Sequence, residues 1–167
     1  HVGWTAMGAR HVAMANGVVV AMQQDMQVLV RDIKTGRVLK QFDALWAGDK
    51  RPDSAGGDRF DLAAVGEQCI VSHLDHDAVR WHDLKSGAVV REVSIAKPGR
   101  IAVVGETGAL LVLGERGLVR IESDGRQSVL VEKARLIAPV AVDWDASNQT
   151  ALVANGEPDH RVLRFDA

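Results

Sequence analysis

The stretch Val79-Arg80-Trp81-His82-Asp83-Leu84-Lys85-Ser86-Gly87-Ala88-Val89-Val90 decides the fold, because it recurs. Val28-Leu29-Val30-Arg31-Asp32-Ile33-Lys34-Thr35-Gly36 runs into Val38-Leu39 in the same grammar, and Val119-Arg120-Ile121-Glu122-Ser123 and Val162-Leu163-Arg164-Phe165-Asp166 repeat its first half at spacings of 51, 40 and 43 residues. A period of roughly forty to fifty residues is the signature of a propeller or an array of repeats. Upstream of each copy lies a more apolar run: Val18–Met22, Cys69–Val71, Ala109–Leu113 and Ala151–Ala154. Before those come Val12–Met14, Leu62–Val65, Ile101–Val104 and Val140–Val142.

Each unit therefore reads as four short strands, a to d, joined by hairpins. The runs are four to six residues long, rich in Val and punctuated by Gly, Asn and Asp, which favours strands over helices. The Asp-x-Lys-[Thr/Ser]-Gly turns supply an acid that opens a turn and a glycine that can take positive φ, as a tight c–d hairpin requires. Strand b is apolar on both faces, as in a sheet sandwiched between two others. Strand d carries Lys40, Arg91, Glu92 and Glu132, as expected at an outer edge.

This gradient predicts an all-β chain, a β-propeller built of four-stranded blades. The units fall at 8–46, 58–97, 99–137 and 138–167, with 47–57 as an inserted loop and the last unit ending after strand c. Either a larger ring of six to eight blades takes in these four, the rest lying outside the chain, or the four close alone, with Val2–Met7 supplying the missing strand.

Composition narrows the function classes. Of 167 residues, 47% are hydrophobic and 25% charged, enough to bury a core. A net charge of -2 excludes the broad basic surface of general nucleic-acid binders. No apolar run approaches the roughly 20 residues of a membrane-spanning helix. The single Cys69 excludes an internal disulfide framework and a four-cysteine zinc site, and leaves the compartment open.

Pro139-Val140-Ala141-Val142-Asp143, Ala151–Gly156 and Asp159-His160-Arg161-Val162-Leu163-Arg164-Phe165-Asp166 together resemble the NHL repeat. The match covers the last unit, where Asp159 stands at a position the family gives to Asn. The Asp-x-Lys-[Thr/Ser]-Gly turns look more like the bacterial quinoprotein-like and YVTN propellers. The resemblance implies a propeller of NHL/YVTN type, a class that includes binding modules and metal-dependent lyases.

Propeller ligands usually sit on the face built by the b–c and d–a loops. An acid precedes strand c in every unit: Asp25, Asp75, Glu115 and Glu157. Set radially, these could hold a divalent cation or a basic partner; the plainer reading is that acids suit tight turns. His73, His76 and His82 lie within ten residues and His160 sits in the matching loop of the last unit, which raises zinc. On an extended strand, residues three or nine apart point to opposite faces, so convergence would need a turn at Asp75-His76-Asp77.

Of the tryptophans, Trp4, Trp46, Trp81 and Trp144, the third aligns with Val30 and Ile121 and reads as core, whereas Trp46, just before the inserted loop, is the one placed to touch a partner. Cys69, inside an apolar strand, reads as a small hydrophobe. No nucleophile elbow, phosphate-cradling loop or haem motif is present.

The expectation is a non-catalytic binding module for a protein, peptide or saccharide, without a cofactor. The alternative is a propeller enzyme, a quinoprotein-like dehydrogenase or a metal-dependent lyase or lactonase, with a central cation. The ligand-face candidates are Asp25, Asp75, His76, Glu115, Glu157, His160 and Trp46; His73 and His76 are the metal candidates.

Overall fold

Alternating apolar runs broken by Gly, Asn and Asp become strands because the branched side chains pack on a pleated surface and the breakers take the φ values that hairpins demand. The computed structural model, which describes residues 9–23, 25–48 and 60–166, contains fifteen strands. The first sheet is β1 (Ala9–Ala15), β2 (Val18–Gln23), β3 (Gln27–Asp32) and β4 (Val38–Asp43). The second is β5 (Phe60–Val65), β6 (Gln68–His73), β7 (Ala78–Asp83) and β8 (Val89–Ser94). The third is β9 (Ile101–Val104), β10 (Ala109–Gly114), β11 (Gly117–Ile121) and β12 (Gln127–Glu132). The fourth, three-stranded among the described residues, is β13 (Pro139–Asp145), β14 (Thr150–Asn155) and β15 (Val162–Asp166).

Within every sheet the spatial order follows the chain order. Strands pair antiparallel in the first, third and fourth sheets, as hairpin connections dictate. Helical backbone among the described residues is confined to two single 3-10 turns, Leu74–His76 and Lys133–Arg135, and no helix is long and apolar enough to cross a membrane.

Burial follows strand position. The second strands β6 and β10 are buried along nearly their whole length, whereas the fourth strands β4 and β8 alternate between half-buried and exposed. A strand flanked by sheet neighbours on both sides loses water from both faces; an edge strand keeps one face wet.

The chain falls into two compact units, one of His1–Val71 with Arg80–Glu92 and one of Ser72–Val79 with Val93–Ala167. The core of the first is built on Val20, Met22, Val28, Val30, Cys69 and Val71, that of the second on Val104, Leu111, Leu113, Leu118, Ala151 and Val153. Cys69 is wholly buried, and desolvation pushes its thiol up to about 12, so it stays a neutral small hydrophobe.

The c–d hairpins explain why Asp, Thr or Ser, and Gly recur together. The Asp32 carboxylate accepts the amide of Lys34, the amide of Thr35 and the Thr35 hydroxyl, at 3.0, 2.7 and 2.8 Å. Asp83 accepts the amide and hydroxyl of Ser86, both at 2.7 Å. The glycine closes each turn at positive φ, 74° for Gly36 and 79° for Gly87, with its amide on the aspartate carbonyl.

Of the sequence expectations, Val2–Met7 as a closing strand and Trp4 lie outside the described residues, as do residues 49–57 of the inserted loop.

Candidate functional site

The b–c and d–a loops are fixed to one another by backbone hydrogen bonds that repeat from sheet to sheet. Within the first unit, the Ala44 amide donates to the Met26 carbonyl at 3.0 Å. Within the second, Ile95 donates to Asp77 at 2.8 Å, Glu115 to Ala96 at 2.9 Å, Lys133 to Arg116 at 3.0 Å and Gly156 to Ala138 at 2.8 Å. Each bond satisfies two main-chain groups that would otherwise be lost to the loop end, so these loops form a supported surface.

A residue at the entry to strand c takes positive φ to make the turn. Met26 stands at 65°, Asp77 at 49° and Gly117 at 115°. At Gly117 no side chain fits, since an added Cβ would overlap the Val131 carbonyl oxygen and lie 2.6 Å from the Lys133 nitrogen.

The four loop acids are placed as follows. Asp25 accepts its own turn's Gln27 amide at 3.2 Å. Asp75 is exposed in the first turn of Leu74–His76. Glu115 is exposed and ion-paired with the Lys97 ammonium at 2.6 Å. Glu157 is exposed ahead of a cis Pro158. The neighbouring Asp159 accepts from Asn155 Nδ2 at 3.0 Å and pairs with Arg161 at 2.9 Å. Among the described residues, no group of three or more His, Cys, Asp or Glu side chains is arranged to hold a metal ion.

The turn that convergence of the histidines required is present. His73 and His76 do meet, edge to face with ring centroids 4.4 Å apart, because the chain leaves the strand at His73 and enters a 3-10 turn. With three residues per turn, positions i and i+3 eclipse rather than oppose, and the strand rule no longer applies. His82 is buried in the core of the first unit, stacked on Phe42 at 5.3 Å, with Nδ1 3.2 Å from the Gly87 carbonyl. Burial holds its pKa below the ordinary imidazole value. His160 is exposed, at φ 44°.

Trp46 is half-buried beneath the Arg80 guanidinium, 3.4 Å from the ring centre, and Arg80 in turn pairs with Glu92 at 2.5 Å. Trp81 is buried, with Arg91 4.2 Å over its ring. Trp144 packs half-buried against the core of the second unit.

Two concavities stand out. In the second unit, a groove of about 250 Å³ lies among the laced loops, floored by Ile95, Ala96 and Val119 and edged by Asp77, Arg116 and Gln127. Gln127 donates to the Ser94 carbonyl at 2.9 Å, and the Asp77 carboxylate is turned to the Lys97 amide at 2.7 Å. The exposed Arg116 and Lys133, whose backbones are bonded to each other, have no side-chain partner among the described residues. In the first unit, a larger groove of about 430 Å³ opens at the turn end of the strands, the end away from Met26 and Ala44. Sequence reasoning missed both grooves. It also missed the half-buried His11–Asp61 pair, at 3.0 Å, in the first unit.

No protein-family model and no curated protein sequence matches the chain. Solved structures do match. Hydrazine synthase of Kuenenia stuttgartiensis is 15% identical, with 99% of this chain and 48% of that one covered at a TM-score of 0.72. The WD40 β-propeller domain of Doa1 is 17% identical, with 95% and 50% covered at 0.69. A streptogramin B lyase is 12% identical, with 99% and 57% covered at 0.63. The chain spans about half the length of these structures. At such identities the likeness speaks for architecture alone. With its repeated antiparallel sheets and the burial gradient from inner to outer strands, the chain has the β-propeller fold.

Proposed function

We propose that the chain is a non-catalytic binding module of NHL/YVTN-like type that engages a protein partner through an acidic segment, at the laced loops of the second unit. The observation that carries this reading is the charge arrangement around the 250 Å³ groove. Of the loop acids here, Glu115 is committed to Lys97, while Arg116 keeps uncommitted positive charge beside an apolar floor, and the exposed Lys133 is bonded to it through the backbone. An apolar floor with a few convergent polar groups at its edge is the usual make-up of a recognition site.

The test is a binding titration of immobilised chain against two peptide pools of equal length and hydrophobicity, one acidic and one basic. The acidic pool is expected to bind and to weaken as salt rises, because exposed charges are screened. The double variant Arg116→Glu with Lys133→Glu is expected to lose at least tenfold in affinity. Preference for the basic pool, or full binding by the double variant, would overturn the reading. A melt in chelator is expected to coincide with melts in added calcium or zinc; a rise of several degrees with one metal would move the cation-dependent enzyme to the front, since only a ligand of the folded state shifts the melt.

A further inference from the structure

From the first unit's groove we infer a second recognition site, a slot for one aromatic side chain of a protein partner, seated in the groove beside Lys40. The first and second sheets carry the same pattern 51 residues apart, so that Val30 corresponds to Trp81 and Lys40 to Arg91. In the second sheet the indole of Trp81 is buried and the Arg91 guanidinium lies 4.2 Å over it. In the first sheet the corresponding residues are direct cross-strand partners, Val30 opposite Lys40, but the ring is missing.

What remains is a groove of about 430 Å³ walled by Val18, Leu39 and Leu84, with the buried Val30 at its base. Lys40 enters it from the half-buried face of β4 and has no hydrogen bond or ion pair among the described residues. The other charges at the mouth, Glu67 and Lys85, neutralise each other at 2.6 Å. An apolar slot with one uncommitted cation over it suits a π-face, which offers apolar area and a negative quadrupole together. The second sheet thus shows the chemistry that the first sheet leaves open. At the slot, Leu39 is 46% exposed, an apolar rim that favours a protein segment over an isolated small molecule.

The site stands apart from the loop groove of the proposed function. The experiment is an amide NMR titration of the ¹⁵N-labelled chain with N-acetyltryptophanamide, with N-acetylleucinamide and acetate as comparison probes. N-acetyltryptophanamide is expected to shift the amides of Val30, Leu39 and Lys40 in the millimolar range, at least fivefold more tightly than the leucine probe. Lys40→Met is expected to weaken it severalfold, Lys40→Arg to preserve it, and Val30→Trp, which supplies the ring from within, to abolish it. Lys40 is half-exposed, so its variants test the idea even where Val30→Trp does not fold. Arg116→Glu with Lys133→Glu is expected to bind N-acetyltryptophanamide as the parent does, so failure of the loop-face reading and failure of this one are read separately. No shifts at these amides, equal binding of the leucine probe or of acetate, or unchanged affinity in Lys40→Met would each overturn the inference.

Discussion

The first and second sheets solve the same packing problem with different residues at the same places. Val30 and Lys40 stand where the second sheet has Trp81 and Arg91, and Arg31 stands where it has His82. One sheet finishes its interior with an indole under a guanidinium; the other leaves a groove beside an uncommitted ammonium. Backbone geometry is common to both, down to the aspartate-gated turn and its glycine. The blade scaffold is therefore set by strand pattern and turns, while side-chain volume at one cross-strand pair decides whether the surface is closed or open.

The largest way to break the contrast is Trp81→Val, which turns the second sheet into a copy of the first. Removing a buried ring from a site that cannot collapse costs roughly 3 kcal/mol or more. A urea titration is expected to show that loss; a change below about 1 kcal/mol, small on the scale of core deletions, would mean that the second sheet relaxes and the two sheets do not differ in packing. Arg91→Met in the same sheet is expected to cost only about 0.5–1 kcal/mol, the worth of a partly exposed cation over a ring.

Next in size is Gly87→Ala. A Cβ there would lie 2.7 Å from Phe42 Cβ and Cγ, in a backbone at φ 79°. Overpacking typically costs roughly 1–3 kcal/mol and the left-handed backbone adds about 1 more. Gly17→Ala meets nothing within 4 Å at φ 75° and isolates the backbone share. Equal melting temperatures for the two variants would remove Phe42 from the argument.

His82 and Arg31 give a pH-dependent contrast. Both reach the carbonyl of the turn glycine, His82 Nδ1 to Gly87 at 3.2 Å and Arg31 Nη1 to Gly36 at 3.0 Å. A guanidinium keeps its charge across this range, but His82 is buried, and among the described residues its Nε2 has no hydrogen-bond partner to which a second proton could be donated. Desolvation lowers its folded-state pKa, so the unfolded chain binds more protons just below the ordinary imidazole value near 6.5. Stability is therefore full above that value and falls as pH drops through the window beneath it. In His82→Gln, whose amide can still donate to Gly87, that part of the slope below about pH 6.5 is expected to vanish in urea midpoints measured across pH.

The repeat, the strand positions and the inner-to-outer gradient were legible in the sequence because each rests on residue type: branched apolar side chains for the inner strands, Asp and Gly for the turns. The lacing of loops at Met26 and Ala44, or Asp77 and Ile95, was not, since main-chain bonds leave no mark in side-chain identity. The loop acids were visible, but whether each served its own turn, as Asp25 does, or a salt bridge, as Glu115 does, depended on neighbours distant in sequence. The meeting of His73 and His76 hung on a turn at Asp75-His76-Asp77, a condition the sequence could name but whose 3-10 geometry it did not determine. The Val30–Trp81 correspondence was in plain view; that it left space required knowing that Lys40 lies opposite Val30.

The smallest expected effect tests the part the two sheets share. The Asp32 carboxylate is held below its ordinary pKa chiefly by the Thr35 amide, and that of Asp83 chiefly by the Ser86 hydroxyl. A depressed carboxylate stabilises the fold above its unfolded-state pKa, near 3.9, and that contribution drains away as pH falls through the folded-state value. Asp32→Asn and Asp83→Asn are therefore expected to melt slightly below the parent at pH 7, by similar amounts, and to converge with it once pH has fallen below the folded-state pKa. Both carboxylates are open to solvent, which keeps the effect small. Convergence of both variants would show one turn device used twice. A deficit in only one of them would mean that the turn stabilises that sheet alone, and that the difference between the sheets reaches past the Val30 and Trp81 positions into the hairpin.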